Sequence, residues 1–178
     1  MKLDPKFEVK DNQLYTIAGE KIEFKFIDVN DIESQKADEK NAFYCIVVDQ
    51  KTIEPEAECY NEEYLAKLRD YFKEMEETGC YGALHVIPEA ATEACDTPET
   101  ESYVACVKHA TRRVKDCENL CGVYLCDKFA KDGDAAKIAL LIDELNVKHK
   151  QYVYFAGNEV LVKAKKAGEE YSGKIVAL

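Results

Sequence analysis

The sequence predicts an α/β fold, a largely parallel sheet of about six strands with alternating helices, preceded by an N-terminal hairpin. Three observations carry this. Apolar runs of period two recur along the chain, and the later ones are separated by amphipathic segments with apolar residues three and four apart. Those segments are long enough to make the right-handed crossovers that parallel strands require.

The elements follow in order. Phe7 to Val9 and Leu14 to Ile17 flank Asp11-Asn12 and read as a short hairpin. Ile22 to Val29 and Phe43 to Val48 read as strands, joined by a polar connection, Asp31 to Ala42, that is short for a crossover helix. Asn61 is suited to cap a helix carrying Leu65, Leu68, Phe72 and Met75 and ending at Gly79. Tyr81 to Ile87 is the next strand. Thr100 is expected to cap a second helix that buries Tyr103, Val107, Ala110, Val114 and Cys117. The strand Gly122 to Cys126 follows. Asp134 then caps a helix with Ile138, Leu141, Ile142 and Leu145 on one face. Tyr152 to Ala156 and Lys174 to Leu178 are the last strands, separated by a helix from about Glu159 to Ala167. Glu54 to Asn61 and Pro88 to Thr100 are acidic loops, so one domain is expected over residues 1–178, with the hairpin in 1–20 and the βα units in 21–178.

A chain of 178 residues with a net charge of −11 is poorly suited to nucleic acid or an anionic membrane surface, and it has no apolar run of membrane-spanning length. The first residues, through Asn12, contain no apolar stretch of the kind a secretion signal needs. Eight cysteines fall largely inside apolar patterns and read as small buried hydrophobes in a reducing cytosol. A cytoplasmic location is therefore expected, and secretion would need a leader on a longer chain. Cys117, Cys121 and Cys126 have the spacing C-x3-C-x4-C, which matches neither zinc-ribbon nor common ferredoxin spacings, so no metal and no cofactor are expected. Phosphate-cradling glycine loops, the serine elbow and H-E-x-x-H are absent from the sequence.

The segment Tyr103 to Lys128, YVACVKHATRRVKDCENLCGVYLCDK, joins an amphipathic helix to a strand that ends in charged side chains. It resembles the stretch of cellulase-like (β/α)-barrel glycoside hydrolases that runs from the third helix to the fourth strand and ends in Asn-Glu or Asp-Glu. FEVKDNQLYTIAGEKIEFKFIDVND is similar to the opening of such enzymes, and EEYLAKLRDYFKEMEETGCYGALHVIPEA to their second helix and third strand. The resemblance spans roughly residues 7 to 178. It implies an incomplete (β/α) barrel, since a closed one takes about 250 residues. The alternative is an open doubly wound sheet.

Chemistry in parallel α/β folds sits at the carboxyl ends of strands. Here those ends offer Asp28, Asn30, Asp49, His85, Glu89, Asp127, Lys128, Asn158 and Glu159. Each also has a structural reading. His85 shares a strand face with Ala83 and Ile87, as a core histidine would, and Asp127 is placed as a cap. Lys128 is suited to pair with Asp127 or Asp132, and Asn158 to cap a helix whose dipole Glu159 complements. By the resemblance, Lys128 stands at the acid/base position, where an ammonium is a poor proton donor near neutrality, and the nucleophile belongs to a seventh strand.

The expected function is thus a noncatalytic or degenerate glycoside-hydrolase-like domain that binds carbohydrate or a protein partner. The alternative is an active hydrolase with a nonstandard carboxylate pair, with Asp127, Glu159 and Glu89 as catalytic candidates and Asp28 and Asp49 in reserve. Asp28, Asn30, Asp49, His85, Lys128 and Asn158 are the expected ligand-binding residues. The lack of tryptophan leaves tyrosine to stack on sugar rings. The apolar edge at Lys174 to Leu178 predicts either a homodimer through that strand or its cover by the N-terminal hairpin.

Overall fold

The computed structural model describes residues 3–40, 42–90, 95–130 and 135–178. A hairpin of β1 (Phe7–Lys10) and β2 (Gln13–Thr16) turns at Asp11 and Asn12, both with positive φ. β3 (Lys25–Val29) and β4 (Ala42–Asp49) pair in parallel, with no helix between them among the described residues. The chain continues through α1 (Gln50–Ile53), α2 (Glu62–Thr78), β5 (Tyr81–Ile87), α3 (Pro98–Arg113) and β6 (Leu120–Tyr124). It ends with α4 (Asp127–Ala130), α5 (Ala135–Asn146), β7 (Val153–Ala156), α6 (Asn158–Ala167), α7 (Glu169–Ser172) and β8 (Ile175–Ala177). The six strands β3 to β8 lie in sequence order, every neighbouring pair parallel. That order is the first part of a barrel, curled and incomplete, and it overturns the doubly wound alternative, in which the strand order reverses.

Two apolar layers hold the sheet. On the outer face, Tyr44, Ile46, Leu84, Val86, Val123 and Tyr154 pack against the buried stripes of α2, α3, α5 and α6. The helix starting at Glu62 forms as expected, with Asn61 accepting a hydrogen bond from the Tyr64 amide and Gly79 closing it at φ 72°. On the inner face, Phe43, Ala83, Cys121, Val153, Phe155 and Val176 form a second cluster that Phe7 and Leu14 of the hairpin close from the amino ends of the strands. The hairpin also covers the last edge. Asn12 donates from its side-chain amide to Ser172 O at 2.8 Å and Ile175 O at 2.9 Å, and its own carbonyl accepts the Ala177 amide at 3.0 Å.

Four sequence boundaries are corrected. β3 begins at Lys25 rather than Ile22, because the Ile22 amide is bound to Leu14 O and Lys21 bridges to Tyr15, extending the hairpin instead of the sheet. α3 is capped by Thr97, not Thr100, since Pro98 fits the first helical position where no amide donor is needed. β6 ends at Tyr124, two residues early, as Leu125 donates to Phe155 O and the chain then turns into α4. Gly157, not Asn158, stands at the N-cap of α6, without a side-chain cap bond. Asp134 and Asp132 lie outside the described residues. No described helix is long and apolar enough to cross a membrane.

Candidate functional site

Strand pleat decides what reaches the concave face, because side chains alternate sides along each strand. Asp28 pairs in register with Cys45, and His85 with Val47. Tyr124, last residue of β6, joins the inner layer, its ring 4.3 Å from that of His85 and 6.2 Å from Phe26. Desolvation lowers the His85 pKa to about 4 against the opposing pull of Asp28, so the ring is neutral near pH 7. Its Nε2 is buried without a hydrogen-bond partner among the described residues.

Burial is also the main cause that pushes the Tyr124 hydroxyl up to about 12, and the charges of Asp127 and Asp28 add to it. Asp127 leans toward the start of α6: a side chain at Gly157 would meet its Oδ1 at 3.6 Å and the Tyr124 hydroxyl at 4.0 Å. The positive end of the α6 dipole favours a carboxylate there. Cys45, beside Asp28 on the neighbouring strand, is held as a thiol by burial, then by the charge of Asp28, so it is no nucleophile. The face therefore presents two carboxylates, a neutral imidazole and the aromatic rings of Tyr124 and Phe26.

A second group stands on the rim. Asp49, Glu89 and Lys128 line a shallow cleft of 450 Å³ with Lys51, Ile87 and Pro88. Lys128 Nζ donates to Pro88 O at 2.6 Å and to Glu89 O at 3.0 Å, so its ammonium clamps the turn after β5. It makes these bonds rather than the expected pairing with Asp127, because the carbonyls of that turn face it directly, and Asp132, the other expected partner, lies outside the described residues. The Glu89 carboxylate is paired with Lys51 at 3.1 Å, and its amide is held by Gln50 Oε1. Asp49 precedes α1 without a side-chain cap bond.

The remaining candidates make no hydrogen bond or ion pair to either group among the described residues. The Asn30 amide is tied into its own turn by Gln35 Oε1 at 2.7 Å, and Asn158 and Glu159 occupy the exposed first turn of α6. Sequence reasoning passed over Tyr124 and Gly157. Tyr124 was legible from strand alternation alone, whereas the significance of Gly157 depends on where Asp127 falls after the chain turns.

No protein-family profile and no curated protein matches the sequence. Solved structures of cellulase-like (β/α)-barrel glycoside hydrolases do match the fold. A β-mannanase from Thermomonospora fusca has a TM-score of 0.63 at 12% identity, over 97% of this chain and 64% of its own. A β-glucanase from Saccharophagus degradans gives 0.64 at 13% identity, over 89% and 55%. Endo-glycoceramidase II from Rhodococcus sp., in complex with a cellobiose-like isofagomine, gives 0.60 at 11% identity, over 86% and 52%. The chain thus spans 52–64% of the length of these structures. At such identities the likeness is one of fold.

Proposed function

We propose that the chain is a noncatalytic, glycoside-hydrolase-like module that binds carbohydrate on the concave face of its half-barrel. The observation that carries this reading is Lys128. By resemblance it takes the acid/base position, and its ammonium is committed to the carbonyls of Pro88 and Glu89. A leaving-group oxygen gains about 10²–10⁴-fold from a positioned acid, and a clamped ammonium is a poor substitute. The Tyr124 ring offers an apolar face for the C–H side of a sugar, while Asp28 and Asp127 supply hydrogen-bond acceptors for its hydroxyls.

A second reading has one observation in its favour: Asp28 and Asp127 both act on the Tyr124 hydroxyl, as an unconventional carboxylate pair across a sugar would. One experiment separates the two. Titration of manno- and cello-oligosaccharides, followed by NMR, should show binding that Tyr124→Ala abolishes. Hydrolysis of aryl glycosides and soluble glucans across pH 4 to 9 should be absent in wild type and in Lys128→Glu. Wild-type turnover lost in Asp127→Asn would establish the second reading, and absence of both binding and turnover would end both.

A further inference from the structure

A groove of 850 Å³ runs between the carboxyl-terminal ends of α3 and α5, in the helical layer. Lys108, Arg112 and Lys115 line it from α3 and the turn beyond, and Lys148 lines it from the turn after α5. The single carboxylate in its walls, Glu144, is already paired with Lys108 at 2.5 Å. Among the described residues Arg112, Lys115 and Lys148 then have no ion-pair partner. On a chain of net charge −11 such a concentration of cations is unexpected.

Basic residues at a helix C-terminus have an ordinary explanation in the macrodipole. Arg112 and Arg113 meet it in the last turn of α3, and Arg113 does so while paired with Glu62. The same reading covers Lys148, just past the end of α5, so each cation is ordinary singly; what the dipoles do not account for is that Lys108, Arg112, Lys115 and Lys148 face one groove beside Val147, which is 65% exposed. His149, also in the groove, adds no charge near neutrality, since burial and then Lys115 lower its pKa to about 4.

We propose that this groove binds an extended acidic peptide with carboxylates at every second position. Spacing argues for it. Lys108, whose exposed pair with Glu144 a peptide carboxylate can exchange for its own, and Arg112 are separated by about 6 Å along the helix, and alternate side chains of an extended chain by about 6.7 Å. Carboxylates on one side of the peptide meet the α3 cations in step. The side chains between them point to the other wall, where Val147 and the aliphatic stem of Lys148 offer apolar surface. A single small anion would engage one or two of these cations and leave the others unused. The acidic residues that open α3, Glu99 and Glu101, lie about 16–20 Å along the helix from Arg112, beyond the Debye length of about 8 Å at physiological salt.

The test is fluorescence polarisation of labelled peptides on the full chain. An alternating Glu-Val hexapeptide should bind about tenfold tighter than a peptide of the same composition with its three glutamates in a block. The double variant Arg112→Glu, Lys148→Glu should weaken it by about tenfold or more, and binding should fall as salt rises. A charge reversal remote from the groove, Lys25→Glu, should leave affinity unchanged, and thermal melts of each variant establish that it is folded. Equal binding of the alternating peptide to wild type and the double variant would overturn the proposal. So would block and alternating peptides of equal affinity, full displacement by millimolar inorganic phosphate, or no binding to wild type at low salt.

Discussion

Removing the ammonium of Lys128 while keeping its stem, as in Lys128→Met, should release the turn after β5. Two charge-assisted hydrogen bonds are lost, to Pro88 O at 2.6 Å and Glu89 O at 3.0 Å. Such bonds are worth about 1.5–3 kcal/mol each when closed off from water. Lys128 is exposed, so solvent screening reduces each by roughly half. The pair then contributes about 2 kcal/mol, which at this chain length is about 4–8 °C in Tm. Lys128→Glu should fall further, because it sets a carboxylate against the same two carbonyls, and Lys128→Arg should retain most of the stability. Urea unfolding followed by circular dichroism measures the loss, and hydrogen exchange at Glu89 and Ala90 should accelerate in Lys128→Met. If Lys128→Met unfolds within about 0.5 kcal/mol of wild type, the clamp is not a structural element and the ammonium is available for other work.

Stability should drop on acidification from pH 7 to 5. The folded pKa values of His85 and His149 are lowered to about 4, mainly by burial, so their stabilisation is present above the unfolded value near 6.5 and is lost as pH falls toward 4. Each histidine accounts for about 2 kcal/mol over that interval, and His149→Gln should flatten the profile measured by urea melts; an unchanged slope would refute the assignment for that residue. Asn12→Ala removes two hydrogen bonds from a residue at φ 57° and should cost about 2–3 kcal/mol while uncovering β8. Light scattering should then show concentration-dependent association that wild type lacks. Gly122→Ala would place a methyl 1.7 Å from Val153 O, on the neighbouring strand, so β6 and β7 must part. A loss of about 3 kcal/mol or more is expected, and a urea midpoint close to wild type would show that the two strands yield easily.

The architecture was readable because its signals are local and redundant. Period-two runs, the Asn61 cap and the Gly79 stop each specify their own element, and the order of elements then allows few parallel topologies. The boundaries that slipped share a cause. Cys126 is buried and small, so it reads as strand, yet it has already left the ladder because the Leu125 amide is the last to reach β7. At Thr97-Pro98 the proline signal for a helix start was present but was outweighed by Thr100, which proves to be fully buried in the first turn. The candidate site was half legible. Asp28, His85 and Asp127 follow from strand ends, but their separation from Asp49, Glu89 and Lys128 depends on which carbonyls happen to face Lys128. No sequence pattern encodes that.

The way the half-barrel fills itself bears on what the concave face can do. A curled sheet short of closure would leave an open lumen, and here aromatic rings occupy it: Phe24 lies 4.9 Å from Phe43, Phe26 lies 5.4 Å from Phe155, and Phe7 lies 5.4 Å from Phe43. Phe24 and Phe26 stay half-exposed because β3 has no neighbour on its outer edge among the described strands. The lower layers are therefore largely filled, and at the carboxyl ends of the strands Asp28 and Asp127 are exposed with His85 and Tyr124 half-buried beside them. A glycosidase must set two carboxyl groups on opposite sides of a buried bond, roughly 5 Å apart or further. A one-layer shelf with an aromatic floor is better suited to hold the face of a sugar than to surround its linkage. That physical difference stands beside the clamped Lys128 as support for the binding role proposed for this face.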